Sequence, residues 1–497
     1  MESDMQSTYD ELPYEDLAFY HTHPSNLAVV ATLCGLSPPP VEECRVLELG
    51  CGSGFNLLAM SQSLPGARLV GFDLSALQIE AGRRMADDIG AANVDLQIGD
   101  IGSIDAALGQ FDYIVAHGVL SWVAPELRER IFQLCRRHLQ PDGIAYLSYN
   151  TDPGWHQRRI VRDALRFHAT AEGTPLQRVR QARAMLERMV DEIPEQDSDY
   201  IRFLRREVEA LRADSDAYVF HEFLESHNHP LRFEAFADLA QANGLRYFAE
   251  ARYGTSAFAQ DGAVRYALDA VSDDLLRQEQ YHDLLRNRYF RQSLICHAEQ
   301  QPTWKLAPRS RGALVVISRA EAVPSEETDA RTFLLHGETE VRVRDPVVVA
   351  ILDVLCEMWP LSMTMRSLIG MTAERIRAAE LAPGVPVELV IASTIVAGYG
   401  WGYWHLYAHN PPAATEPGER PLASPLARLC AARSPAVTNL LQRPVDLGAD
   451  QQAVLLRLDG RTSVAQLSAT LAMAPEAIAS VLRELAACYL LQLDPPD

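Results

Sequence analysis

The sequence has eight cysteines, at 34, 44, 51, 135, 296, 356, 430 and 488, with no CxxC and no paired spacing. Cysteines scattered in this way read as reduced thiols and not as a disulfide framework. Cys51 and Cys135 also fall inside segments that read as buried, which suits reduced thiols in a cytosolic protein. Positive charge is short as well: 45 basic residues face 66 acidic ones, for a net charge of −21. Nucleic-acid phosphates and anionic lipids require the opposite balance, so neither is expected as the main partner. No apolar run approaches the ~20 residues of a membrane span. The opening MESDMQSTYDELPYED is acidic and polar, unlike a signal peptide. The expectation is a cytoplasmic protein with no membrane partner.

What is present is globular: 48% hydrophobic and 22% charged residues over 497 positions. That length exceeds what a single core serves, and two to four domains are expected. From 45 to 150, strand-like and helix-like segments alternate. RVLELG, ARLVGFDLS, VDLQIGD, FDYIVAHG and IAYLSYN read as strands, with FNLLAMSQSL, ALQIEAGRRMADDIG and ELRERIFQLCRRHLQ as helices between them. Short connections and alternating elements predict a parallel sheet covered on both faces. Amphipathic helices are predicted at 157–169, 175–193 and 199–213, with Thr174-Pro175 as cap and first helical residue. Their arginines (Arg158, Arg159, Arg162, Arg166, Arg178, Arg180 and Arg183 among them) fit a solvated face better than a surface for an acidic partner. GLRYFAEARYG at 244–254 reads as a return to the sheet. PPAATEPGERP at 411–421 reads as a linker. The tail after it reads as three helices of a winged-helix-like module. With six Arg, no Lys and seven acids over 421–497, it lacks the charge of a DNA reader.

The strongest motif is VLELGCGSG. Glu48 ends the first strand, and Gly50, Gly52 and Gly54 let the backbone approach a ligand at a helix N-terminus. A dinucleotide GxGxxG would need glycine at 55, where Phe55 stands. Asp73 ends the second strand, placed to accept from ribose hydroxyls. Asp100 ends the third, placed for an adenine amino group with Ile101 behind the ring. Three acids at three consecutive strand ends lie on the edge where open sheets bind ligands. HEFLESHNHP (221–230) is not a zincin motif, since HExxH needs histidine at 225 and Glu225 stands there. His227 and His229 lack a third ligand nearby, so no metal is expected. A lid over the pocket, with His221 or Glu222 facing the acceptor, is the better functional reading of that segment. The early tyrosines Tyr9, Tyr14 and Tyr20 read either as a cap on the cofactor or as an apron packed on the first helix.

These motifs, with YDELPY (9–14), HTHP (21–24), FDYIVAHGVLSWV (111–123) and AYLSYNTDPGWH (145–156), resemble one bacterial family. It is the class I S-adenosylmethionine-dependent methyltransferases with a methyltransferase regulatory domain, which includes protein-lysine methyltransferases of outer membrane protein B. The resemblance implies an α/β fold, a Rossmann-like class I methyltransferase sheet with a helical insertion. A mixed middle domain and a C-terminal winged-helix-like domain follow. The expected boundaries are 1–156 with 231–260 for the cofactor domain, 157–230 for the insertion, 261–410 for the middle, 411–421 for the linker and 422–497 for the tail. It implies S-adenosyl-L-methionine on Glu48, Gly50, Cys51, Gly52, Gly54, Asp73, Leu74, Asp100 and Ile101, with His117-Gly118 beside the methyl group.

Two departures, Leu120 and Asp152 where aromatics are common, bear on the substrate and not on methyl transfer. The expected acceptor is a protein or peptide, most readily a lysine, and the insertion is expected to carry a homodimer. A neutral lysine at pH 7 costs about 4–5 kcal/mol, which a wall of Tyr149, Trp122 and Trp155 with a nearby base would reduce. Asn150 shares that strand end, and His156 or His117 is the expected proton relay, with His221 on the lid. Alternatives are methylation of a small molecule or peptide natural product, or a non-catalytic regulator on the same fold.

Overall fold

The computed structural model describes residues 11–169, 173–194, 198–225, 227–304, 312–324, 330–376 and 386–493. Five parallel strands, β1 (Arg45–Leu49), β2 (Arg68–Asp73), β3 (Val94–Ile98), β4 (Phe111–Ala116) and β5 (Leu139–Asn150), build most of the main sheet. Two more, β6 (Leu245–Glu250) and β7 (Phe290–His297), complete it in the order β3-β2-β1-β4-β5-β7-β6. β7 runs antiparallel to both its neighbours. Val46, Leu47 and Leu49 of β1 are each 0% exposed, as a central strand buried on both faces requires. The helix Ala76–Ile89 stops at Gly90, whose φ of 68° provides the left-handed C-cap.

Between β5 and β6 the chain leaves the sheet. The helices Gly154–His168, Pro175–Asp191 and Asp199–Ala213 close over a core of Val161, Leu165, Val179, Leu186 and Leu211. A reciprocal capping box of Thr174 and Gln177 starts the second helix and Ser198 caps the third. The return passes through a π-helical turn, Phe220–Leu224, and the helix Phe233–Ala242.

The sheet ends later than the boundary at 260 predicts, because its last strand is Phe290–His297. RYFRQSLICH hides its strand character by placing an arginine inside. Arg291 is 0% exposed and meets Glu250 at 2.7 Å, Asp283 at 2.8 Å and Glu279 at 3.1 Å. Its guanidinium also lies 4.1 Å from the Phe233 ring centroid. Burial opposes its charge, but the carboxylates of Glu250, Asp283 and Glu279 override that and hold its pKa well above the ordinary value.

Among its described residues the middle region has two small sheets. Val315–Ile317 pairs with Met363–Thr364 and His405–Tyr407, and Ala320–Val323, Arg331–Leu335 and Thr339–Val343 form the other. The helices Pro346–Met358, Met365–Ile376 and Val387–Trp401 share its core, into which Val29 and Leu33 of the N-terminal helix Pro24–Leu33 also pack. Among the described residues the tail has four helices, not three: Pro425–Ala431, Ala449–Leu455, Val464–Leu471 and Pro475–Ala487. The 411–421 segment is not a free linker. Ala414 N donates to Leu491 O (3.0 Å) and Leu493 N to Pro412 O (3.1 Å), so the strand end at 491–492 ties it down. Leu426 of the tail packs with Phe55, Leu58 and Ala59 on the helix that follows the glycine loop. Among the described residues no single helix is long and apolar enough to cross a membrane.

Candidate active site

The glycine loop follows β1 at the carboxyl edge of the sheet. Gly50, Gly52 and Gly54 all have positive φ (70°, 56° and 73°). A β-carbon at Gly50 would lie 2.6 Å from Val119 Cγ2, and one at Gly54 2.5 Å from Leu96 Cδ2. Both backbone strain and lack of space therefore require glycine. Gly50 N and Cys51 N donate to Phe72 O at 2.8 and 3.0 Å, locking the loop to the end of β2. Cys51 Sγ occupies the space over Gly71, where a β-carbon would come within 2.7 Å of it.

Glu48 is 3% exposed, and its Oε1 accepts from Asn56 Nδ2 at 2.9 Å. Its Oε2 is buried with no hydrogen-bond partner among the described residues. Burial pushes the carboxyl pKa up to about 8, with Asp73 adding to the rise and the Asn56 hydrogen bond opposing it. An orphaned buried carboxyl oxygen beside a glycine cradle is a socket for a cation, which would favour the ionised form, and the α-ammonium of an amino-acid cofactor has that charge. Asp73 accepts from Gly52 N (2.8 Å) and Ser75 N (2.9 Å), so it braces the loop as well as facing the edge. Asp100 caps the turn Ile101–Ser103 through Gly102 N. Leu74 is 42% exposed beside Asp73, while Ile101 is buried.

A strap of N-terminal residues crosses this edge. Leu12 O accepts from His221 Nε2 (2.6 Å), and the Tyr14 ring lies 4.4 Å from that of His221. Ser53 Oγ donates to Asp16 at 2.5 Å, and Phe19 N to Asn56 Oδ1 at 3.0 Å. The Phe19 ring rests 4.1 Å from His117. Tyr20 and His21 then line a cavity of about 300 Å³ against Arg252, Tyr399, His405 and Arg443. Tyr9 lies outside the described residues.

His117 is half-buried past the end of β4. Its Nδ1 meets Tyr146 Oη at 2.9 Å, and Gly118 N donates to Ser148 Oγ at 2.8 Å. Burial lowers its pKa to about 4, so its ring is neutral at pH 7. Tyr146 and Ser148 are the partners that the sequence reading missed. β5 alternates, with Tyr146 and Ser148 on one face and Leu147 and Tyr149 on the other. Tyr149 is accordingly 1% exposed, stacked on Phe236 at 4.6 Å, with its hydroxyl 3.4 Å from Ser293. That corrects the expectation that Tyr149 walls the acceptor: it packs into the core beneath the helix Phe233–Ala242.

Asn150 does reach the edge. Its N donates to Ser121 Oγ at 2.7 Å and its Nδ2 to Glu222 Oε2 and Asn228 Oδ1 at 3.4 Å each. Burial pushes Glu222 up to about 7, against the pull of Arg158, Asn150 and Arg162 and with help from Asp214. His221, one residue earlier, is 0% exposed and turned to Leu12 and Glu225. Glu222, and not His221, is therefore the residue of that segment beside Asn150.

Trp155 is 1% exposed, its ring 6.2 Å from Phe223 and 5.9 Å from the Arg158 guanidinium. It is a packing anchor under the first inserted helix, and not an open wall. Trp122 is buried in the segment that holds Val119 over Gly50. The His156 side chain is 53% exposed and pairs with Asp152 at 3.2 Å, on the solvent side of its helix. Among the described residues no three His, Cys, Asp or Glu are grouped to hold a metal, and the His227 and His229 rings stand 5.9 Å apart.

Known proteins are similar to this chain. Residues 46–143 match the methyltransferase domain family, 215–297 the predicted methyltransferase regulatory domain, and 419–483 the PKMT C-terminal winged helix domain. RP028 of Rickettsia prowazekii is 38% identical over 234 residues, 47% of this chain and 94% of its own length. The chain belongs to the class I S-adenosylmethionine-dependent methyltransferases with a regulatory domain. RP789 of the same organism is 38% identical over 58% of this chain, and the match spans about half of RP789 (52%). The solved structure of PKMT2 from Rickettsia typhi in complex with AdoHcy is similar over 96% of this chain and 100% of its own, at 26% identity and a TM-score of 0.83. The methyltransferase cofactor, S-adenosylmethionine, fits the residues present: a glycine cradle, an orphaned Glu48 oxygen and carboxylates at the ends of β2 and β3.

Proposed function

We propose that this methyltransferase transfers the methyl group to a lysine side chain of a protein. The observation that carries the reading is Glu222. It is a carboxyl with a pKa of about 7, held by Asn150 on the same sheet edge as the glycine loop, where a base for an acceptor ammonium is needed. The likeness to a PKMT winged helix domain and to PKMT2 from Rickettsia typhi supports the same reading. In it Glu48 takes the cofactor's ammonium, Asp73 the ribose, and Asp100 with Leu74 and Ile101 the adenine. Gly50, Cys51, Gly52 and Gly54 pass the backbone beneath, and His117 closes the methyl side. The cofactor supplies an activated methyl on sulfonium, so the chain's own work is positioning, water exclusion and removal of one proton. Glu222 accepts that proton from the acceptor ammonium, and the neutral amine then attacks. Phe19, Tyr14 and the rest of the strap cover the site.

Composition also favours lysine. Lys305 is the single lysine among 497 residues, against 44 arginines. An enzyme that methylates lysine would otherwise present its own surface lysines as competing acceptors at high local concentration. Incubation with labelled S-adenosylmethionine and a bacterial lysate is expected to put label on lysine in protein, with little on the enzyme itself. Label confined to small molecules, or to another amino acid, would sink the proposal.

The inserted helices carry the homodimer in this reading. Ile160, Phe167, Met189 and Tyr200 are exposed there, Phe167 at 95%, an arrangement that favours a covered face. Phe167→Glu is expected to halve the mass seen by sedimentation while leaving the thermal transition in place. An unchanged mass for both proteins, at either value, would remove that face as the interface.

A further inference from the structure

The turn Asn439–Arg443 of the C-terminal module joins the antiparallel strands Ala436–Thr438 and Pro444–Asp446. Gln442 N donates to Asn439 O (2.9 Å), and Asn439 Oδ1 accepts from Leu441 N and Arg443 N (3.0 Å each). Gln442 adopts a left-handed φ of 57°, a conformation that residues with a β-carbon rarely take. Its side chain is 1% exposed and leaves its own module altogether. Gln442 Nε2 donates to Asn56 Oδ1 at 2.5 Å and to Asn56 O at 3.3 Å. The neighbours in the turn go elsewhere: Leu441 packs with Val315 and Ile317, and Arg443 lies 3.9 Å over the Tyr20 ring.

Asn56 is the residue that holds Glu48. Its Oδ1 accepts from Phe19 N and Gln442 Nε2, and its Nδ2 donates to Glu48 Oε1 and Thr22 Oγ1, both at 2.9 Å. Two donors on the oxygen leave the amide one satisfied orientation, with its nitrogen toward the carboxylate. We propose that Gln442 is a positioning residue of the cofactor site, fixing Asn56 so that Glu48 is held by one oxygen and offers the other to the cofactor's α-ammonium. The winged-helix module is then part of the cofactor-binding apparatus, which gives its place on the glycine-loop helix a chemical purpose. This inference rests on the cofactor assignment and is independent of which acceptor is used.

Gln442→Glu tests it with almost no change of shape. Once ionised, a carboxylate at 442 cannot donate to Asn56 Oδ1, so the amide loses one of the two donors that fix it and no longer holds its nitrogen toward Glu48. Binding of S-adenosylhomocysteine, read by calorimetry, is expected to weaken about 10- to 30-fold, and Gln442→Ala about 5-fold. The pH dependence of binding provides a readout that packing alone would not move. Glu48 faces Asn56, Asp73 and Cys51 in this site; without the Asn56 donor its titration, and the binding profile that follows it, shifts to higher pH. Val437→Ala, in the core of the same module, should lower thermal stability and leave affinity and profile unchanged. Wild-type affinity and profile in Gln442→Glu would overturn the proposal. So would a parallel loss of affinity in Val437→Ala, which would assign the effect to docking of the module.

Discussion

Asp73→Ala is expected to weaken S-adenosylhomocysteine binding about 100-fold, close to 2.7 kcal/mol. The carboxylate has two tasks that add. In the proposed site it accepts from the ribose at the end of β2, and hydrogen bonds to a charged group are worth about 1.5–3 kcal/mol each. It also accepts from Gly52 N and Ser75 N, so its loss frees the glycine loop and the first turn of the helix Ala76–Ile89. Asp73→Asn separates the two, because an amide oxygen still accepts from one backbone donor while its nitrogen repels the other. Its affinity should fall between wild type and alanine. Equal calorimetric affinities for wild type and Asp73→Ala would remove the cofactor assignment of this residue.

Glu222→Gln is expected to lower kcat about 100-fold while leaving cofactor affinity intact, within the range that one positioned base supplies. The sign of the pH effect follows from the raised pKa. Burial shifts Glu222 from the ordinary carboxylate range to about 7, so it is protonated and idle below that pH and competent above it. Wild-type activity should therefore rise through pH 7. The glutamine variant should lose that limb and keep only the rise set by the acceptor amine. Arg158, Arg162, Asn150 and Asp214 all bear on this carboxyl, so the same limb should shift upward when Arg158 is removed. A variant with unchanged kcat and profile would return Glu222 to a structural role and leave the acceptor site to be sought beside His117 and Tyr146.

The difference between Tyr149 and Tyr146 shows where sequence reading stops. IAYLSYN is apolar on both faces, as a buried central strand must be. Its pattern therefore carries no phase, and either tyrosine was a fair choice for the pocket. Only pairing with β4 and β7 sends Tyr146 to His117 and Tyr149 to Phe236. Trp155 was misread for a related reason: a large aromatic in the first turn of a helix suits a pocket wall and a packing anchor equally. β7 was missed because Arg291 interrupts its apolar pattern, and the carboxylates that compensate it lie 8 to 41 residues away in sequence.

The sequence alone determined the glycine loop and the carboxylates at the strand ends. An acid, three glycines at alternate positions and two more acids at strand ends are local features, each dictated by backbone geometry or charge within a few residues. It also determined the helical insertion, since amphipathic period and caps are local too. Tertiary structure decided the rest. It placed Glu222 against Asn150, 72 residues earlier, laid the strap from Leu12 to His21 over the edge, and brought Gln442 to Asn56 across 386 residues. The physical reason is that a hydrogen bond leaves no periodic trace in a chain when its partners meet only through the packing of separate domains.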